Sequence, residues 1–272
     1  MLGLERPVVM GVLNVTPDSF SDGGRFVRLD DAVARGLQMA EEGAAVIDVG
    51  GESTRPGAQP VDLDEELRRV VPVIARLRDR TPAILSVDTS KPEVMHAAAA
   101  AGAAMINDVR ALRTPGALEA AVISGCAVCL MHMLGEPRSM QDSPAYVDVV
   151  AEVREFLGTR VEACLDAGLP AERIVLDPGF GFGKTLAHNL ELLRHLGELS
   201  VHGLPIVAGL SRKSMVGALT GRPAGERAHG SIALAVIAAL NGARILRVHD
   251  VAATVDALRV AAAVAGMPGR QT

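Results

Sequence analysis

The sequence predicts an α/β fold, a (βα)8 TIM barrel that takes residues 1–272 as a single domain, on three observations. Short apolar runs recur along the chain, eight in all, and each is followed by a longer stretch with helical spacing. The runs are nearly continuous rather than alternating, as expected of parallel strands covered on both faces. No linker, low-complexity tract or shift of composition separates a second domain. Eight such units close naturally into a barrel, with an open doubly wound sheet as the alternative.

The first run is "VVMGVLNV", residues 8–15, and the second is "AVIDVGG", residues 45–51. Leu63, Leu67, Val70, Ile74 and Leu77 then share one face and predict a helix over 63–79, which Pro72 should kink. "AILSVDT" (83–89), "AMINDV" (104–109) and "AVCLMH" (127–132) follow as strands. Val149, Val153, Phe156, Leu157, Val161 and Cys164 mark another amphipathic helix. "RIVLDP" (173–178), "PIVAGL" (205–210) and "RILRVHD" (244–250) complete the set. Gly43, Gly102, Gly125, Gly168, Gly203 and Gly242 stand where helices end shortly before the next strand, the place of a left-handed cap.

Apolar residues make up 49% of the chain and charged ones 22%, a globular profile, and the net charge of −5 argues against a general nucleic-acid binder. No apolar window has the length of a spanning helix and no secretory leader pattern opens the chain, so a cytoplasmic location without membrane association is expected. Cys126 and Cys129 form a C-x-x-C, but it lies at the entry to a buried strand rather than at a helix N-terminus, so a structural role is expected.

Polar residues gather at the C-terminal ends of the strands: Asn14, Asp48, Asp88, Asn107 with Asp108, His132, Asp177, Ser211 with Lys213, and Arg247 with His249. In a barrel those ends meet at one mouth, where active sites lie. Arg247 and His249, two apart on one strand, share a face and suit an anion, unless Arg247 is spent on a structural bridge to one of the carboxylates. Asp88 and Asp177 can each accept two parallel hydrogen bonds from an amidine-like edge, and Asn107 can read a further edge. Lys213 and Ser214 open a helix, a place that favours a carboxylate.

The stretch "DPGFGFGKT", Asp177 to Thr185, ends like a P-loop with Lys184 and Thr185. The template requires its first glycine at position 178, which is Pro178, a residue with no N–H to offer a phosphate. Nucleotide hydrolysis is therefore disfavoured. Phe20, Phe180 and Phe182 lie in glycine-rich loops of a chain with no Trp and one Tyr. Stacking on a flat ligand fits them, except that Phe180 suits a plug over the barrel top. "SDGG" and "GGESTRPG", with Arg55, have the composition of lids.

With these residues assembled, the chain resembles the bacterial dihydropteroate synthase family, the folate-pathway transferases that sulfonamides inhibit. The resemblance rests on "MGVLNVTPDSFSDGG", "DVGGESTRPGA", "SVDTSKPEV", "MINDVRAL", "LMHMLGEPRSMQ", "LDPGFGFGKT", "LSRKSM" and "LRVHDV", in order from residue 10 to residue 251. It implies condensation of 6-hydroxymethyl-7,8-dihydropterin pyrophosphate with p-aminobenzoate to 7,8-dihydropteroate and pyrophosphate, by an SN1-like departure of pyrophosphate. By motif position it implies that Asp88, Asn107, Asp177 and Lys213 hold the pterin, with Met131 and Phe182 lining its pocket and Arg247 against the ring. It places Asn14, Arg55, Arg247 and His249 on the pyrophosphate, with Mg2+ at Asn14 and Asp22 as a second candidate ligand. Phe20, Thr54, Pro56 and Ser214 shape the p-aminobenzoate site, and Asp88, Arg55 and Lys213 carry the catalysis. The family commonly forms homodimers, and the Ala- and Val-rich last helices suit a partner copy. A pterin-dependent methyltetrahydrofolate:corrinoid methyltransferase and a non-catalytic pterin-binding paralogue are the alternatives. The cationic residues at the strand ends disfavour the first, and the presence of Asp22 and Arg55 disfavours the second.

Overall fold

The computed structural model describes residues 4, 6–15, 25–53, 59–135, 140–141 and 143–265, with side chains omitted over 25–28. Eight parallel strands pair in sequence order and close on themselves: β1 Val8–Asn14, β2 Val46–Gly50, β3 Ile84–Asp88, β4 Met105–Asp108, β5 Ala127–Met131, β6 Ile174–Asp177, β7 Ile206–Ala208 and β8 Ala243–Val248. The closing pair runs β1 against β8, Val8 opposite Ile245 through Gly11 opposite Val248. Around them lie α1 Arg25–Glu41, α2 Leu63–Leu77, α3 Pro92–Ala101, α4 Ala117–Ser124, α5 Val149–Asp166, α6 Leu186–Arg194, α7 Ser214–Thr220, α8 Ala228–Leu240 and α9 Val251–Val264. Every apolar run is a strand, so the barrel is closed rather than doubly wound.

The helix starts follow local chemistry. Asp62 caps α2 by accepting from Glu65 N at 2.9 Å, and Asp148 caps α5 by accepting from Val150 N and Ala151 N at 3.0 Å each. α2 continues through Pro72 and ends at Leu77, two residues short of the expected boundary, with Arg78 as its cap. The six glycines expected at helix ends all have positive φ. No described helix is long and apolar enough to cross a membrane.

Two apolar layers hold the fold. The larger lies between strands and helices, filled by residues such as Ile47, Ile74, Leu77, Ile106, Leu130, Leu157 and Leu246. The smaller fills the barrel itself: Met10, Val46, Met105, Cys129, Val175, Val207 and Ile245, one from each strand but β3. Side chains on a strand return to the same face every second residue. Two positions beyond that apolar floor, the inward residues are Val12, Asp48, Asn107, Met131, Asp177, Gly209 and Arg247, joined by Asp88 from β3. The active mouth is thus set by one step of strand periodicity.

Candidate active site

Arg247 sits at the centre of the mouth. Its Nε donates to Asp48 Oδ2 at 2.7 Å and one Nη to Asp88 Oδ2 at 2.6 Å, while Asp48 Oδ2 also accepts from Asn107 Nδ2 at 2.9 Å. The bridging role considered for Arg247 is therefore real, and it spans two carboxylates at the site instead of replacing the site. Asp177 closes the ring on the other side. A Cβ built on Gly209 would lie 3.7 Å from Lys213 Nζ, 3.8 Å from Asp177 Oδ2 and 3.9 Å from Arg247 Cβ, so these three side chains share one hollow. Asn14 joins them at the end of β1. Its Oδ1 lies 3.6 Å, and Asp88 Oδ2 3.8 Å, from a Cβ built on Gly50.

Burial sets the electrostatics. Asp88 is pushed up to about 7 by desolvation, with Arg247 pulling the other way and Asp48 adding to the rise. Burial raises Asp177 above the ordinary carboxylate range, opposed by Lys213 and by the hydrogen bond from Gly179 N to its Oδ1 at 2.7 Å. Burial lowers Lys213 to about 8 despite the nearby Asp177. The Lys213 ammonium donates to Phe180 O and lies 4.7 Å above the Phe182 ring. Phe182 packs beside Val109, Met131, Met133 and Met140, a soft apolar wall suited to the face of a flat ring. Phe180 is fully buried, but it packs in the apolar layer between strands and helices, so it neither stacks at the mouth nor fills the barrel interior.

The glycine-rich loop receives its explanation here. Lys184 is buried, and its Nζ meets His132 Nδ1 at 2.8 Å and the carbonyls of Gly179 and Phe182 at 3.0 Å each. Three donors on the ammonium meet three acceptors, which leaves none for a phosphate. Thr185 is a helix cap: it accepts from His188 N at 3.2 Å, while His188 Nδ1 accepts from Thr185 N at 3.3 Å. Gln141 Nε2 and Tyr146 Oη take the carbonyls of Gly181 and Gly183, so all five carbonyls from Gly179 to Gly183 are bonded by side chains. The loop is a rigid wall. Burial and Lys184 together press His132 down to about 3, so its ring is a neutral acceptor.

Several strand-end residues face elsewhere. Asp108 is a turn cap: its carboxylate accepts from Arg110 N and Leu112 N at 2.8 Å each and from Ser90 Oγ. It holds a turn in which Ala111 and Leu112 both have positive φ. His132 packs edge-on to Phe156 at 4.9 Å, behind the loop and away from the mouth. Arg212 of the "LSRKSM" segment turns to Asp250, with contacts of 2.5 and 3.1 Å, and so leaves Lys213 as that segment's cation at the mouth. Ser214 is exposed at the first turn of α7, with Lys213 as its cap residue. His249 Nδ1 meets Ser211 Oγ at 3.0 Å, beside the mouth at the end of β8. Phe20, Asp22, Thr54, Arg55 and Pro56 lie outside the described residues. At the base of the second of those segments, Lys91 pairs with Glu52 and with buried Glu66.

All three cysteines are buried thiols. Cys129 belongs to the barrel floor, where burial and the neighbouring Asp177 and Asp48 raise it well above its ordinary value. Cys126 Sγ donates to Ala103 O at 3.3 Å, so the C-x-x-C is structural.

Asp48 was noted in the sequence only as one strand-end acid among several. Its bonds to two prospective ligand-binding side chains depend on the barrel's closure, which brings β8 and β4 to β2 from opposite sides.

Known proteins reinforce this geometry. A profile of the family described as "Pterin binding enzyme" matches residues 10–249. Dihydropteroate synthase of Escherichia coli strain K12 is 54% identical over 259 residues, covering 95% of this chain and 92% of its own. A crystal structure of the Xanthomonas albilineans dihydropteroate synthase with 4-aminobenzoic acid superposes with a TM-score of 0.93 at 58% identity, over 98% of this chain and 96% of that one. The same enzyme in complex with 7,8-dihydropteroate gives 0.90 at 55% identity, over 98% of this chain and 97% of that one. The ordered motifs, the closed barrel and these likenesses agree: the chain belongs to the pterin-binding enzymes and, within them, to the dihydropteroate synthase family.

Proposed function

We propose that the chain joins p-aminobenzoate to 6-hydroxymethyl-7,8-dihydropterin pyrophosphate, giving 7,8-dihydropteroate and pyrophosphate. One observation carries this reading: Asp88, Asn107, Asp177, Lys213 and Arg247 converge on one hollow beside the Met131–Phe182 wall. A dihydropterin presents an amidine-like N–H and NH2 edge, which the Asp177 carboxylate can accept through Oδ2. Asn107 and Asp88 face the remaining ring edge, and Lys213 donates toward the carbonyl side. Arg247 lies where it can cover the ring face and meet the pyrophosphate, which Asn14 and His249 flank. Arg55, Phe20, Thr54 and Pro56 complete the proposal from the two segments outside the described residues, with Ser214 placing the p-aminobenzoate carboxylate at the start of α7.

The chemistry follows from the charges. The C–O bond to pyrophosphate breaks first, and its electron pair leaves with the diphosphate, whose charge Arg247 and the other cations receive. The pterin methylene cation left behind sits beside Asp88. The neutral arylamine then gives its lone pair to the methylene carbon and loses a proton to water. Mg2+, when bound, would neutralise charge on the diphosphate oxygens. An ion that takes oxygen ligands and keeps several waters suits a mouth where the Asn14 amide oxygen faces the Asp88 side, with Asp22 as the second candidate.

The test is incubation with both substrates and Mg2+. Pyrophosphate should appear one for one with dihydropteroate and only when p-aminobenzoate is present; release without the arylamine would replace this reading with hydrolysis.

The proposal keeps the cytoplasmic location expected from the sequence and extends to a homodimer. Leu219, Ile237, Leu240, Val260 and Val264 are exposed on α7, α8 and α9, and α8 packs against both of its neighbours. A second copy would bury this apolar face. Light scattering should give twice 28.3 kDa for the wild-type chain and the single mass for Ile237→Glu combined with Leu240→Glu. A monomeric wild type would remove the dimer from the proposal.

A further inference from the structure

Asp48 touches neither substrate in the reading above, yet it is among the most enclosed polar groups of the barrel, with 0% exposure. Its Oδ2 accepts two hydrogen bonds, from Asn107 Nδ2 and from Arg247 Nε, and its Oδ1 has no partner among the described residues. In register it stands between Val12 of β1 and Ser86 of β3, one strand short of Asn107 on one side and of Arg247 on the other.

The consequence is directional. A carboxylate oxygen already serving a guanidinium can only accept, so the amide of Asn107 must turn its NH2 toward Asp48. That leaves Asn107 Oδ1, an acceptor, as the end a ligand meets. Were the amide reversed, two acceptor oxygens would face each other. The same oxygen holds the guanidinium of Arg247 by Nε, and Asp88 holds one Nη, so the remaining Nη group is directed by two fixed points.

We propose that Asp48 is a positioning residue that fixes the amide orientation of Asn107 and the plane of the Arg247 guanidinium, and so selects a ring edge with N–H donors at Asn107. This rests on the assignment of Asn107 and Arg247 to the pterin pyrophosphate.

The experiment uses the full chain with Asp48→Asn, which keeps the volume but allows either end of each amide to face the other. Binding of 6-hydroxymethylpterin is followed by its fluorescence, and steady-state rates give KM for each substrate. Pterin affinity should fall about 10- to 100-fold, the scale of a lost hydrogen bond to a charged group, with KM for p-aminobenzoate nearly unchanged. In an Asn107→Ala background the same substitution should have much less effect, because residues that act through one another are not additive. Equal loss in both backgrounds, an unchanged pterin affinity or a matching rise in the p-aminobenzoate KM would each overturn the proposal. Asp48→Ser repeats the test should the first variant not fold. Failure of both to fold would make Asp48 structural and overturn it as well. A wild-type chain that binds no pterin in these assays would instead count against the functional reading.

Discussion

Gly179→Ala is expected to lower the melting temperature by roughly 6–12 °C and to abolish pterin binding at the temperature of assay. Gly179 has φ +69°, and a Cβ there would stand 1.8 Å from His132 O. The left-handed conformation alone costs an L-residue about 1–2 kcal/mol. The collision adds the cost of moving backbone, about 1–3 kcal/mol for an overpacked site, because His132 O follows directly on β5 and cannot retreat without disturbing Met131. The effect reaches the site through two bonds: Gly179 N donates to Asp177 Oδ1, and Gly179 O accepts from Lys184. Gly168→Ala is the control. It has φ +91° and nothing within 4 Å of its Cβ position, so it carries the conformational cost alone, a few degrees. Circular dichroism melts of the two variants decide the matter. If Gly179→Ala melts no lower than Gly168→Ala, the close approach does not constrain the loop.

That loop shows how far the residues could be read without coordinates. Pro178 excluded a phosphate loop, because a missing N–H is a property of one residue. What Lys184 does was not legible: its partners His132 and Gly179 come together only when β5 and β6 lie side by side. The barrel was readable throughout, since its apolar runs and helical faces are local patterns. The mouth was readable as a set of strand ends, but not as a division of labour. Asp108 and Asn107 are adjacent in the chain and point to opposite sides of β4, so one caps a turn while the other meets Asp48 inside the barrel mouth. Strand alternation separates them in principle; assigning which side is inward needs the closed sheet. Asp48 illustrates the opposite miss. Its position matched those of Asp88 and Asp177, but its bonds to Asn107 and Arg247 join three strands across the barrel, and no sequence spacing encodes that.

Asp88→Asn is expected to reduce kcat about 100- to 1,000-fold, the range found when a preorganised electrostatic group is removed, while pterin pyrophosphate binding weakens far less. The side chain keeps its shape, and Asn can still accept from Arg247, so the ground-state pocket survives. What it cannot offer is negative charge beside the methylene carbon once pyrophosphate has gone, and the buried site makes that charge count for more than it would in water. The fold should tolerate the change, because burial already resists ionisation of Asp88: its pKa is raised from 3.8 to about 7, with desolvation the leading cause. The sign of the pH dependence follows. A carboxyl with a raised pKa is neutral below about 7 and charged above it, so wild-type kcat should fall as pH drops through 7, with Arg247 ionised throughout. Asp88→Asn has no such carboxyl to titrate, so its residual rate should show no fall as pH drops below 7, and any change above 7 would report Lys213, which burial lowers to about 8. Rapid-quench turnover and equilibrium binding from pH 5.5 to 8.5 would measure both. Equal losses in binding and turnover, or an acidic limb that persists in the Asn variant, would move the charge-stabilising role from Asp88 to another group, with Asp177, the other raised carboxylate in the hollow, as the next to substitute.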